Sequence, residues 1–238
     1  MNAIQSIREK IMTLKYPSDI QGIGKKISGI GFFPGGNGTI NLEEMPNDKP
    51  FMILGQDQDN VIGFEKTINA KGGNETYSST WRNMLVLLKE SGIKENDCFF
   101  TNFLMGIRKN DSNVGTSPAF MHPDFLAACA DIFIDQLKMQ RPKGIICLGL
   151  RPFQLLGLVS RTILLKNIGM TTFRDIDIRE TSLLKGIEFE QFPGFKTNVA
   201  VIYHPSYRKL NAKNRNYNNT EGNKAEIVLL NDLKSTIN

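Results

Sequence analysis

The sequence predicts an α/β protein, a three-layer α/β/α sandwich on a central four-stranded parallel sheet. Three observations predict it: four short, unbroken apolar runs, helix-period segments between them, and polar groups concentrated just after each run. A run apolar at every position suits a strand buried on both faces, which belongs in a parallel sheet covered by helices. Strand and helix in alternation then give the sandwich.

Residues 4–14 read as a leading helix, and the first run is Phe51–Gly55 (FMILG). The segment 79–91 opens on a capping-type Ser and sets Trp81, Leu85 and Leu88 on one stripe. Cys98–Asn102 (CFFTN) is the second run. Residues 122–140 then align Phe125, Cys129, Ile132, Phe133 and Leu137, with Pro142 as a stop signal. The third run, 144–149 (GIICLG), leads into a short helix over 151–159. The fourth, 199–203 (VAVIY), precedes a closing helix over 223–233. The stretch 169–196 fits this alternation least. Its mixed charges and Phe-Pro-Gly-Phe turn at 192–195 suggest a hairpin or surface insertion. The Gly-rich patch 32–38 (FFPGGNG) reads as an ordinary turn.

A chain of 238 residues, 40% hydrophobic, suits one sizeable core, so residues 1–238 are expected to form a single domain. No run of eighteen apolar residues suggests a membrane span, and the charged N-terminal segment lacks a secretory pattern. A cytoplasmic protein is expected. Cys98, Cys129 and Cys147 stand far apart in apolar segments, as reduced buried thiols do. Three cysteines without a C-x-x-C pair, and two histidines, suggest neither a metal nor a cluster. The net charge of +5 is compatible with a polyanionic partner. The run 204–220 carries four Lys or Arg and no acid, which gains meaning only beside a binding site.

Ligands of open parallel sheets bind beyond the carboxyl ends of the strands. Those positions here hold Gln56, Asp57, Gln58, Asp59 and Asn60, then Asn102 leading to Arg108 and Lys109, then Gly149, then His204-Pro205-Ser206. Carboxylate, amide and imidazole therefore converge on one sheet edge.

In this order the motifs resemble those of the uracil-DNA glycosylase superfamily. Gly55-Gln56-Asp57 is similar to the water-activating motif of its best-known branch, and His204-Pro205-Ser206 to its second motif. CFFTN resembles the strand whose terminal Asn reads the base, and Arg208 falls at a wedge position. The resemblance runs roughly over 50–208. It implies an enzyme that flips a base from DNA and hydrolyses its N-glycosidic bond without a cofactor. The reacting sugar gains positive charge and the base negative charge. Asp57 then suits the cation and the attacking water, and His204 the base O2. Asn102 suits N3–H and O4 of uracil, with Gln56 beside it in the base site. Phe64 is a candidate stacking face. Ser206, Tyr207, Arg208, Lys209, Lys213 and Arg215 are candidate DNA contacts, Tyr207 and Arg208 filling the vacated stack.

Two departures widen the choice of base. Gln58 stands where the family carries Pro, and Asp59 where it carries a blocking aromatic. A uracil or a modified pyrimidine is expected, including a bulky base of phage DNA, with repair and phage defence both open. DNA is the expected partner of a monomer with no obligate protein partner. A catalytically inactive base- or DNA-binding module is the alternative, since fold and pocket can outlast activity. An unrelated α/β hydrolase ranks last, for want of a phosphate-binding Gly-Lys-Ser/Thr loop or a G-x-S-x-G elbow. Asp59 is either a solvated loop charge or a substitute for Asp57, and His122, opening a helix, has a structural reading.

Overall fold

The computed structural model describes residues 3–23, 31–32, 48–69, 78–110, 115–162, 165 and 172–237. Of the Gly-rich patch, 33–38 lie outside the described residues, as do 169–171 of the stretch that fitted least.

The four apolar runs form the centre of the sheet, as strands β3 (Phe51–Gly55), β4 (Cys98–Asn102), β6 (Gly144–Leu148) and β8 (Phe192–Ile202). They are parallel neighbours in the order β4-β3-β6-β8, with Gly55 opposite Asn102, Leu54 opposite Cys147 and Leu148 opposite Ile202. Two strands widen this expected four-stranded core. The short β2 (Gly31–Phe32) lies parallel outside β4, and β7 (Leu183–Phe189) pairs antiparallel with β8 at the other edge. A separate antiparallel pair joins β1 (Ile20–Gln21) to β5 (Ile107–Arg108).

The hairpin in the stretch 169–196 thus continues the main sheet and is no surface appendage. Its turn falls at Glu190 and Gln191, while Phe192–Phe195 lies inside β8. Hydrophobicity explains the shift. Phe195 is buried and stacks on Phe189 and Phe192, so the segment that reads as a turn carries aromatic core.

Side-chain alternation loads both faces of the sheet. Met52, Leu54, Phe99, Ile145, Cys147, Val199 and Val201 meet helices α1 (Ala3–Thr13), α4 (Pro123–Gln140) and α5 (Leu150–Leu156). Phe51, Ile53, Phe100, Ile146, Leu148 and Ala200 meet α3 (Ser79–Glu90) and the C-terminal helix (Asn223–Ser235). Ser78, one residue before the expected cap, accepts the Trp81 N–H. Trp81 is 2% exposed, with its ring centroid 5.0 Å from that of Phe100. Truncating it to Ala would cost about 3–5 kcal/mol. Leu85, placed on the same stripe by spacing, is half-buried, and Met84 and Leu87 complete the buried face. Pro142 is preceded by Arg141 in the left-handed conformation (φ 46°), which ends α4.

The chain leaves β3 for β4 on one side and returns through α4 to β6 on the other. Strand order therefore reverses between β3 and β6, and a crevice opens above their carboxyl ends.

Candidate active site

That crevice is a cavity of about 790 Å³. Its floor takes one group from each central strand end: Asp57 after β3, Asn102 closing β4, Gly149 after β6 and His204 after β8. Gly149 has φ 102°, a conformation L side chains rarely adopt, and its N–H donates to Ile202 O at 2.9 Å. The chain can then turn directly from β6 into α5 beside His204.

Asp57 is held from three sides. Arg108 Nε donates to its Oδ2 at 2.6 Å, and both side chains are less than 10% exposed. Gln56 Nε2 donates to the same oxygen at 3.2 Å, and the Asp59 N–H to Oδ1 at 3.3 Å. Asp59 adopts φ 73° and turns its carboxylate inward, with Oδ1 accepting the Asn60 N–H at 2.7 Å. A Cβ on Gly63 would lie 2.3 Å from Asp59 Oδ2, so any side chain there would displace this carboxylate. Asn60 in turn caps α2 (Val61–Ile68) through the Gly63 N–H. Gln58 is fully buried and donates to Phe32 O at 2.8 Å. Burial is the main cause raising the Asp59 carboxyl above its ordinary range.

His204 Nδ1 lies 2.7 Å from Ser206 Oγ and accepts the Ser206 N–H at 3.4 Å. These contacts assign the ring proton to Nε2. Burial lowers the imidazole from 6.5 to about 4, against the opposing charge of Asp57, so it is neutral at physiological pH. The loop is anchored from behind. The Tyr203 N–H donates to Glu226 Oε1 at 2.6 Å, and Asn83 Nδ2 donates to Pro205 O at 2.7 Å.

Asn102 is 1% exposed, and its Nδ2 has no hydrogen-bond partner among the described residues. A buried donor left unpaired costs about 1–3 kcal/mol, so an unpaired amide on a cavity wall points to an absent acceptor.

Gln56, Ser206 and Tyr207 also line the cavity. Three expectations need correction. Phe64, the candidate stacking face, is 3% exposed inside the core, because α2 turns it toward the sheet and away from the cavity. Arg208, the candidate wedge, is 9% exposed and donates through Nε to the fully buried Glu226 at 3.1 Å. Arg215, a candidate phosphate contact, is 1% exposed, ion-paired with Asp177 and set over the rings of Phe173 and Tyr203. Lys209 and Lys213 are exposed but off the cavity wall.

Sequence reasoning missed the partnership of Arg108 with Asp57, the aromatic pair Phe173 and Tyr203, and the wall cations Lys66 and Arg82, while Arg151, which also lines the wall, stands just after the third run. It also missed Glu226, which had a signal. It lies three residues before Leu229, on the apolar stripe of the last helix.

His122 bonds Asp19 at 2.8 Å, away from the cavity. Cys98, Cys129 and Cys147 are buried and free, burial pushing the Cys129 thiol up to about 12. Among the described residues, no group of three or more His, Cys, Asp or Glu could hold a metal, and no helix could cross a membrane. A search of curated proteins finds no match. The family model described as uracil DNA glycosylase superfamily matches residues 44–233, a span that includes all four strand-end groups and most of the chain. By that match the chain belongs to the uracil DNA glycosylase superfamily, whose members' DNA glycosylase-type chemistry is its general function.

Proposed function

We propose that this chain hydrolyses the N-glycosidic bond of a flipped uracil or modified pyrimidine in DNA, as a monofunctional glycosylase leaving an abasic site. The observation that carries this reading is the unpaired Asn102 amide, buried on the same cavity wall as Asp57 and His204.

The base enters with its edge to Asn102, whose Nδ2 donates to a ring-edge oxygen. As the bond to the sugar lengthens, negative charge gathers on the base. The neutral His204 donates from Nε2 to O2 without first having to lose a proton. The Asp57 carboxylate faces the developing sugar cation and orients water through the oxygen not shared with Arg108. Gln56 holds Asp57 from the side. Tyr207, 42% exposed on the turn after His204, and Leu210, 69% exposed on the short helix that follows, fill the vacated stack in place of Arg208. Lys66, Arg82 and Arg151 set positive charge along the cavity for the DNA backbone. The wide cavity favours a larger base than uracil.

The clamp of Arg108 on Asp57 favours a second reading, a base-binding module without turnover, because a guanidinium beside the sugar opposes a cation there. Base release separates the two. Oligonucleotides carrying uracil, hydroxymethylcytosine or its glucosylated form are incubated with the protein and with Asp57→Asn and His204→Ala. An abasic product lost in both variants establishes the glycosylase. DNA binding with no product from any base establishes the module.

A further inference from the structure

The cavity is wider than one pyrimidine needs. Asn102 ends β4 and Tyr203 follows β8, three strand spacings away, or roughly 14 Å at ~4.8 Å each. At the β8 end the Tyr203 and Phe173 rings lie with centroids 3.9 Å apart, tilted by 38°, and both line the cavity. Behind them the Arg215 guanidinium stands 4.8 Å from the Phe173 centroid and 5.7 Å from that of Tyr203. It is 1% exposed, and its Nε and Nη1 have no hydrogen-bond partner among the described residues. Nη2 alone is engaged, with Ser182 and Asp177. Burying a guanidinium with two unsatisfied donors is unfavourable, and here it fixes two rings at the edge of a polar cavity.

We infer that Phe173 and Tyr203 form a second, stacking subsite that holds a nucleobase adjacent in the strand to the one read by Asn102. The inference rests on the cavity being a DNA-base site. Both rings line the cavity, and every base has a π-face to set against them, so the subsite is tolerant of sequence. Holding a neighbour unstacked also favours strands already single.

The test uses single-stranded oligonucleotides with 2-aminopurine on the 5′ or the 3′ side of a uracil, a hydroxymethylcytosine or a glucosylated hydroxymethylcytosine. The full chain carries Asp57→Asn so that no cleavage intervenes. The expected result is a saturable change in 2-aminopurine emission at one of the two positions. Phe173→Leu, apolar but without a π-face, should weaken that binding roughly 5- to 150-fold, the equivalent of about 1–3 kcal/mol per stacked base, and Phe173→Trp should retain it. Melting curves of both variants report whether the fold is kept. Binding and emission unchanged in Phe173→Leu would overturn the subsite, as would no emission change at either position. If the unaltered protein releases no base from any oligonucleotide but the emission change persists, the glycosylase reading fails and the subsite stands. If it releases base and Phe173→Leu changes nothing, the subsite fails alone.

Discussion

His204 should titrate near 4, far from the ordinary histidine range, and should be the group that makes the fold acid-sensitive. Burial lowers it from 6.5 to about 4, and the opposing charge of the Asp57 carboxylate, itself paired with Arg108, offsets only part of that shift. The unfolded chain takes up the proton as pH falls through 6.5, while the folded chain resists until about 4. Between those values the unfolded state binds more protons, so stability falls with pH and levels off below 4. At about 1.4 kcal/mol per unit of displacement, the loss attributable to this ring is about 3 kcal/mol. The chain has only two histidines, so two imidazole Cε1–H resonances suffice for the assay, with His122→Gln assigning the pair. Urea unfolding at pH 7 and pH 4.5 supplies the energetic half. His204→Gln should lose less stability over that interval than the parent by an amount approaching 3 kcal/mol. The nitrogen shifts should show a protonated Nε2 and a bare Nδ1 at pH 7. A His204 resonance that titrates at 6.5 or above would refute both the burial argument and the neutral-donor role built on it.

The other expectations are briefer. Arg108→Ala should cost about 3–5 kcal/mol by thermal or urea unfolding, because it strands a buried carboxylate, and Arg108→Ala with Asp57→Asn should recover part of that loss. Arg208→Ala should likewise lower Tm by stranding Glu226, whereas Leu210→Ala should leave Tm unchanged and weaken DNA binding in a gel-shift or anisotropy assay. Asn102→Leu should reduce kcat/KM for the preferred base about 10- to 100-fold while circular dichroism stays the same, since the lost contact is to the ligand. Each of Lys66→Ala and Arg151→Ala should reduce the salt slope of DNA affinity by about 1 if it meets a phosphate.

The sheet was legible because burial on both faces leaves an unbroken apolar signature. FMILG and GIICLG can scarcely be anything but central strands. β2 was not legible, since two residues carry no periodicity. β7 alternates less cleanly and takes bulges against β8, and the Pro and Gly that mimic a turn in 192–195 sit at its partner's edge. Strand-end chemistry was legible for the same reason as the strands. Once the runs are placed, the residues after them must face the crevice, and Asp57, Asn102 and His204 do.

What failed were the inferences for Phe64, Arg208 and Arg215, drawn from side-chain type without knowledge of direction. The basic run after His204 looked like a phosphate grip, yet two of its four cations point inward. Arg208 reaches Glu226 and Arg215 reaches Asp177, which ties the loop to the last helix and to the short helix Phe173–Ile178 and holds His204 in place. A buried guanidinium with a carboxylate partner far along the chain leaves no local mark, since the partner's position depends on tertiary packing. The same logic applies to the cavity cations. Lys66, Arg82 and Arg151 come from three separate helices, each with at most one net positive charge, and only the closing of the sheet brings them to one wall. The positive charge on the cavity wall is assembled by the fold, and two cations of the contiguous run, Arg208 and Arg215, serve to hold the His204 loop. Neutralising Arg215 should therefore perturb His204 and melt the loop before it changes the salt dependence of DNA binding. The reverse order would mean that the buried cations reach DNA after all.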